Sequence, residues 1–431
     1  MNQNILKMKP SLIRRFTALA KATPGCRMLT IGEPDFDTPS PIRVAAAKAM
    51  AEGLTHYAPN KGTDSLRKAI AAYETKRGMA CTMDNILVTV GATGALNTVL
   101  TGLLNPGEEV IIPVPAFPLY ESIATAAGAV PVFLDLKKSN FQIEKAPLEA
   151  VISPKTRAII LNSPNNPTGC VLSERSLDIV AQLAVEHDFY IICDNVYAAL
   201  SAEAVPDLTL RPQLRDRVIL CQSFSKPWAM TGWRLGWLAA PENLIDNFTL
   251  LQASQIASVP TFLQKAAETA LQVDVQDMAA VYRKRREYML ARLDSMGLTY
   301  PRPQGAFYVF PEIARFSMDS ETFCTRLIAE GGLAAVPGSC FGCEGHIRLS
   351  YCYSEGRPRI LQSKIHRRQA KYVISLREIR NSTNFGGRAR LAPTIGSSFH
   401  RKERNNHYEK DHFPRHRYCP DHPHDLHRRG L

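Results

Sequence analysis

Between residues 86 and 240 the chain alternates short, unbroken apolar runs with longer segments whose apolar positions recur at helical spacing. The runs are "ILVTV" (86–90), "EVIIP" (109–113), "VPVFLDL" (130–136), "RAIILN" (157–162), "YIICD" (190–194), "RVILC" (217–221) and "RLGWLAA" (234–240). A strand wetted on one face alternates apolar and polar residues, whereas an unbroken run is buried on both faces, as in a mostly parallel sheet between helices. The pattern therefore predicts an α/β domain with a mostly parallel seven-stranded sheet. After residue 275 the period becomes helical as far as Met296. "GAFYVFP" then reads as a strand, "SETFCTRLIAEGG" as a helix ended by Gly331, and "HIRLSY" as a further strand, together a smaller α+β unit.

Four segments follow from this pattern. Residues 1–45 are expected to pack with the small unit, 46–275 to form the large domain and 276–356 the small one. Residues 357–431 are a tail of a different composition. In sheets of this kind ligands bind beyond the carboxyl ends of the strands, where Asn166, Asp194 and Ser223 fall.

Composition adds little for the body and much for the tail. The net charge of +12 suggests a nucleic-acid partner, yet residues 1–356 hold 34 Lys and Arg against 34 Asp and Glu. The remainder holds 52 − 34 = 18 basic and 40 − 34 = 6 acidic residues, so the whole excess sits after Gly356. Eight of the 11 histidines lie there as well. Such a segment is compositionally unlike a folded domain, and its abrupt start within the small unit suggests a disrupted reading frame or a disordered end. The cluster from His412 to His427 fits no finger spacing, so neither a metal site nor a nucleic-acid partner is expected. Cys340 and Cys343 form a CxxC with no second pair. The body has no apolar run long enough to cross a bilayer, no secretory leader is evident, and ten scattered cysteines suit a reducing compartment; a cytoplasmic protein without a membrane partner is expected.

The candidate chemistry centres on "QSFSKPWAMTGWRLGW" (222–237). Lys226 stands there with no charged neighbour until Arg234. A lysine among apolar groups loses affinity for its proton and so can act as a nucleophile or base. This stretch resembles the lysine motif of the class I aminotransferases, fold-type I enzymes that use pyridoxal 5'-phosphate. "LTIGEPDFDTP" (29–39), "HYAPNKGTDSLRKAI" (56–70), "SPNNPTG" (163–169), "DNVY" (194–197), "RPQGAFYVFP" (302–311), "VPGSCFG" (336–342) and "IRLSY" (347–351) resemble the family's other landmarks, in its order.

The resemblance implies a role for each matching residue. Lys226 is the amine that condenses with the cofactor aldehyde and later acts as base. Asp194 faces the ring nitrogen, Tyr197 and Asn166 donate to the ring's phenolic oxygen, and Phe117 stacks on the ring. Arg234, Ser223 and Ser225 hold the phosphate, with the amides of Ala92 and Thr93 at the start of a helix after "ILVTV". Arg348 clamps the substrate α-carboxylate, with Gly32 approaching it by backbone and Asn166 beside it. Tyr57 reaches the phosphate of a neighbouring subunit, which implies a homodimer with shared sites. Ser163 and Asn195 depart from the family's usual asparagine and acid.

The reaction implied is a ping-pong exchange of an amino group between an L-amino acid and a 2-oxo acid, in amino-acid metabolism and biosynthesis. Two alternatives stay open at this point: a β-lyase on the same fold, and a lapsed enzyme with an altered end.

Overall fold

The computed structural model describes residues 1–201 and 204–353. The boundary at Gly356 and the basic tail lie outside the described residues.

The chain opens with the helices Gln3–Leu6 and Leu12–Ala22, followed by strand β1 (Arg27–Met28). Ser11 caps the second helix by accepting from the Arg14 amide at 3.4 Å, and Phe16 and Ala20 bury one side of it. Helices Ser40–Ala51 and Asp64–Arg77 come next. The large sheet then uses β2 (Ile86–Thr89), β3 (Glu109–Val114), β4 (Val130–Asp135), β5 (Thr156–Asn162), β6 (Tyr190–Asp194), β7 (Val218–Ser223) and β8 (Gly236–Ala239), in the order β2-β8-β7-β6-β5-β3-β4.

Each of the seven apolar runs supplies one of these strands. Alternate residues point to opposite faces, so in β3 Val110 and Ile112 join a core with helix Gly91–Leu103. Ile111 between them joins another core with helix Glu174–Glu186. A sheet loaded on both faces needs apolar residues throughout, which is why the runs are unbroken.

Pairs β3–β4, β3–β5, β5–β6 and β6–β7 are parallel. β8 runs antiparallel to both β2 and β7. Its run was expected to begin at residue 234, but Arg234 is left-handed (φ 53°) and the strand starts at Gly236. The chain leaves β7 at Ser223 and returns to pair Gly236 opposite it, so Lys226 and Arg234 belong to a single closed loop.

The smaller unit contains helix Gln276–Ser295, β9 (Tyr308–Val309), helix Ser320–Ala329, β10 (Leu333–Ala334), β11 (Val336–Pro337) and β12 (Ile347–Ser350). β11, β12 and β9 make an antiparallel sheet, and β10 pairs in parallel with β1. Helix Leu12–Ala22 packs on helix Ser320–Ala329, β10 and β11. Asp35 and Arg285 form a two-pronged pair at 2.9 and 3.1 Å that ties the N-terminal segment to helix Gln276–Ser295. The boundary expected at residue 45 falls inside helix Ser40–Ala51, which packs on helix Thr261–Ala270 of the large unit; the change of partner comes before Ser40. Among the described residues no helix is long and apolar enough to cross a membrane.

Candidate active site

Beyond the carboxyl ends of β5, β6 and β7 lies a cavity of about 540 Å³. Lys226 enters it from the closed loop after β7. Its Nζ donates to the Gly32 carbonyl at 2.6 Å and lies 5.9 Å from the centre of the Phe307 ring. Burial pushes the amine down to about 8, and the charges of Arg348 and Arg234 add to that against the opposing pull of Cys352 and Glu33. A neutral amine is thus accessible near neutrality.

Asp194 ends β6 on the cavity wall. Tyr120 donates its hydroxyl to Oδ2 at 2.5 Å, and Asn162 Nδ2 holds the Asp194 carbonyl at 2.8 Å. Oδ1 is buried and has no partner. Burial raises this carboxyl to about 6, opposed by the Tyr120 hydroxyl, the Val196 amide and the Lys226 charge. A buried carboxylate oxygen left without a donor is costly. Oδ1 is thus left to accept from a cationic N–H that enters the cavity.

Arg348 stands on β12 and is 2% exposed. It forms no ion pair among the described residues. Nη1 donates to Asn166 Oδ1 at 2.8 Å, Nη2 donates to the Thr30 carbonyl, and Nε is buried without a partner. The rings of Tyr308 and Phe341 flank the guanidinium at 4.5 and 5.0 Å. A buried guanidinium with unspent donors suits a carboxylate that arrives from outside. Because Asn166 spends its oxygen on Arg348, its amide NH2 is the group left for the cavity. The Tyr197 and Tyr308 hydroxyls meet at 2.9 Å on the same wall, and burial holds Tyr197 well above the ordinary phenol range.

The far corner is built for an anion. Helix Gly91–Leu103 starts immediately after β2 and brings its unpaired amides to the cavity at Ala92 and Thr93. Gly91 holds φ 67°, which side-chain-bearing residues rarely adopt, and a Cβ there would lie 2.9 Å from Arg234 Nη2, so the guanidinium would have to shift to admit one. Ser223 Oγ donates to Ser225 Oγ at 2.8 Å, which leaves the Ser225 proton for a further acceptor. An unpartnered carboxylate oxygen, a neutralisable amine and this anion corner around one cavity fit pyridoxal phosphate.

Lys226, Asp194, Tyr197, Asn166, Phe117, Ala92, Thr93, Ser223, Ser225, Arg234, Arg348 and Gly32 all line this cavity. Tyr57 is outside it and 90% exposed. The two departures from the usual pattern have local work: Ser163 accepts from the Leu172 amide at 3.1 Å, and Asn195 donates to Asp207 at 2.8 Å. The cysteines of the CxxC join an apolar cluster with Phe141, Phe310 and Phe341, and burial raises both thiols to about 11.

Tyr120, Asn162, Thr30 and Tyr308 were not singled out by the sequence. Tyr120 stands in the same "PVPAFPLY" as Phe117, but its partner Asp194 is 74 positions away.

A mostly parallel sheet with a lysine on the loop after one strand and a carboxylate at the end of the next defines a fold-type I pyridoxal-phosphate enzyme. The comparisons with known proteins narrow this. Residues 26–363 match the family "Aminotransferase class I and II". The chain is 40% identical over 356 residues to "Aromatic-amino-acid aminotransferase 2" of Thermococcus litoralis, covering 80% of this chain and 92% of that protein. It is 39% identical over 363 residues to the "Aspartate aminotransferase" of Pyrococcus abyssi, covering 81% and 93%. Among solved structures, the aspartate aminotransferase of Thermus thermophilus with maleate superposes with a TM-score of 0.80 at 33% identity, covering 88% of this chain and 99% of that one. The chain belongs to the class I and II aminotransferases. It is a pyridoxal-phosphate-dependent enzyme that acts on amino acids and 2-oxo acids.

Proposed function

We propose that the described cavity carries the amino-group exchange, with Lys226 as the reacting amine and base. The observation that carries this is the convergence on one cavity of Lys226, the unpartnered Oδ1 of Asp194 and the unpaired Arg348. Arg234, Ser223, Ser225 and the amides of Ala92 and Thr93 would hold the phosphate, with Phe117 against the ring. When bound, pyridoxal phosphate supplies an aldehyde carbon for amines and a ring that accepts the electron pair released at the substrate Cα.

The chain's own groups do the rest. Arg348 takes the α-carboxylate of the incoming amino acid, with Gly32 and Asn166 beside it, and so fixes which bond at Cα faces Lys226. Lys226 Nζ, neutral below its usual range, removes the Cα proton and carries it to the opposite end of the exchange. Asp194, held by Tyr120, keeps a negative charge opposite the ring nitrogen. Tyr197 and the Asn166 amide donate to the ring oxygen. Once Lys226 has given up that proton on the cofactor side of the site, a water molecule would break the carbon–nitrogen bond and release the 2-oxo acid while the amino group stays behind, which completes one half-reaction. A second 2-oxo acid would run the same steps in reverse and lose that water.

Absorbance of the purified protein with added cofactor tests the assignment. A visible band that is lost in Lys226→Ala supports it; the same band in that variant rejects it. Product analysis separates transamination from β-elimination, since elimination releases pyruvate and ammonia without an amino acceptor.

The site is further proposed to be shared in a homodimer, with Tyr57 serving the cavity of the neighbouring copy, in the cytoplasm. The support is an exposed tyrosine in the matching motif. Mixing Tyr57→Phe with Lys226→Ala chains is the check: shared sites restore activity in mixed dimers, and independent sites do not.

A further inference from the structure

Tyr308 lines the cavity, yet the exchange proposed above gives it no task. It stands on β9 opposite Ser350 of β12, and Arg348 lies two residues along that strand, on the same face. The guanidinium accordingly sits over the Tyr308 ring, 4.5 Å from its centre. The hydroxyl end reaches past Gly32, where a Cβ would collide with it, and meets the Tyr197 hydroxyl at 2.9 Å.

Packing holds that contact in place. Phe307 and Tyr308 both meet the Tyr197 ring edge-on, with centroids 5.4 and 5.7 Å away. Both tyrosines are buried. Among the described residues neither hydroxyl has another hydrogen-bond partner.

Two hydroxyls in contact carry two protons, and only one can lie between them. If Tyr197 donates, its proton is spent and the ring oxygen loses that donor. If Tyr308 donates, the Tyr197 proton is left for the cavity. The surrounding groups favour the second arrangement. Burial pushes Tyr308 up to about 12, with Arg348 pulling it back and Cys352 opposing that pull. Burial lifts Tyr197 well above the ordinary range, where the neighbouring Tyr308 outweighs Arg348 and Asp194 adds to the rise. Tyr308 is thus the more acidic hydroxyl of the two, and the more acidic hydroxyl is the better donor.

We infer that Tyr308 is a positioning residue for the exchange: its hydroxyl donates to Tyr197 and so turns the Tyr197 proton toward the ring oxygen of the cofactor. This rests on the reading of Tyr197 as a donor to that oxygen. Hydrogen bonds in a chain polarise one another, so the terminal donor is stronger than a lone tyrosine. Donation to the ring oxygen stabilises its negative charge and so loosens the hold of the adjoining Lys226 nitrogen on its proton. Tyr308 thereby acts on the reacting nitrogen without touching it.

The pH midpoint of the visible absorbance of the cofactor-loaded protein reads that proton. Tyr308→Phe should keep the band and raise the midpoint by about 0.5–1 pH unit, the range of one net hydrogen bond. Tyr197→Phe should raise it at least as far. Adding Tyr308→Phe to Tyr197→Phe should move it no further, because Tyr308 acts only through Tyr197. Replacing Tyr308 with 3-fluorotyrosine keeps its shape while making the hydroxyl a stronger donor, and should lower the midpoint. A tyrosine that only fills space would not respond in that direction, and this variant decides the matter even where Tyr308→Phe fails to fold.

The inference is overturned if the midpoint ignores both changes at position 308, or if Tyr308→Phe shifts it equally in the Tyr197→Phe background. Movement in Tyr197→Phe alone rejects this inference and leaves the proposed function standing. No movement in either variant rejects the donor role of Tyr197 as well.

Discussion

Tyr120 and Asp194 share one strong hydrogen bond, 2.5 Å from hydroxyl to Oδ2, and it leaves Oδ1 as the only oxygen of that carboxylate without a donor. The tyrosine fixes the plane of the carboxylate and favours its charged form. Tyr120→Phe should raise the Asp194 pKa further above about 6 and weaken cofactor binding by about tenfold, as expected for loss of one hydrogen bond to a charged group. Fluorescence titration of the apoprotein with cofactor checks this; an unchanged Kd would show that Tyr120 only fills space.

Asp194 itself trades stability for function. Its folded pKa of about 6 lies above the ordinary 3.8, so the group favours the fold fully below about pH 4, and that contribution is lost as pH rises through about 6. Asp194→Asn keeps an acceptor for Tyr120 and removes the buried charge. At about pH 7 it should stabilise the apoprotein by about 1–3 kcal/mol and lower cofactor affinity, with the stability gain disappearing near pH 4. Urea melts at the two pH values measure it. A destabilised apo variant at neutral pH is the contrary result.

Lys226 titrates at about 8 instead of 10.5. The reactive neutral fraction therefore rises about tenfold per pH unit below about 8 and levels off above it. The rate of covalent cofactor capture by the apoprotein, followed by stopped-flow absorbance, should show that bend. A bend above about 10 would mean that burial does not depress the amine.

Gly32 is required for space. A Cβ there would sit 1.7 Å from the Tyr308 hydroxyl, the group that meets Tyr197. Gly32→Ala should displace Tyr308, cost about 1–3 kcal/mol as an overpacked site, and raise KM for amino donors more than it lowers Tm-corrected kcat. Thermal melts and steady-state kinetics read the two effects separately.

The strands were legible because burial on both faces demands unbroken apolar runs such as "ILVTV" and "YIICD". Strand direction was not: nothing in "GWLA" marks β8 as antiparallel, since that follows from the short return that pairs Gly236 with Ser223. Lys226, Arg234 and Asp194 could be read from their local motifs. Tyr120 could not, because its role exists only once a residue 74 positions away is brought against it.

The closed loop between β7 and β8 has a last consequence. Ser223 pairs with Gly236 and the Phe224 amide donates to the Leu235 carbonyl at 3.1 Å, so the loop carrying Lys226 and Arg234 is pinned at its base. On the proposed assignment, Lys226 at the aldehyde end and Arg234 at the phosphate end are held apart by one local segment. That segment would work as a ruler: a vitamin lacking the phosphate, or a ring with its arm lengthened by one carbon, would reach one end of the scale and miss the other.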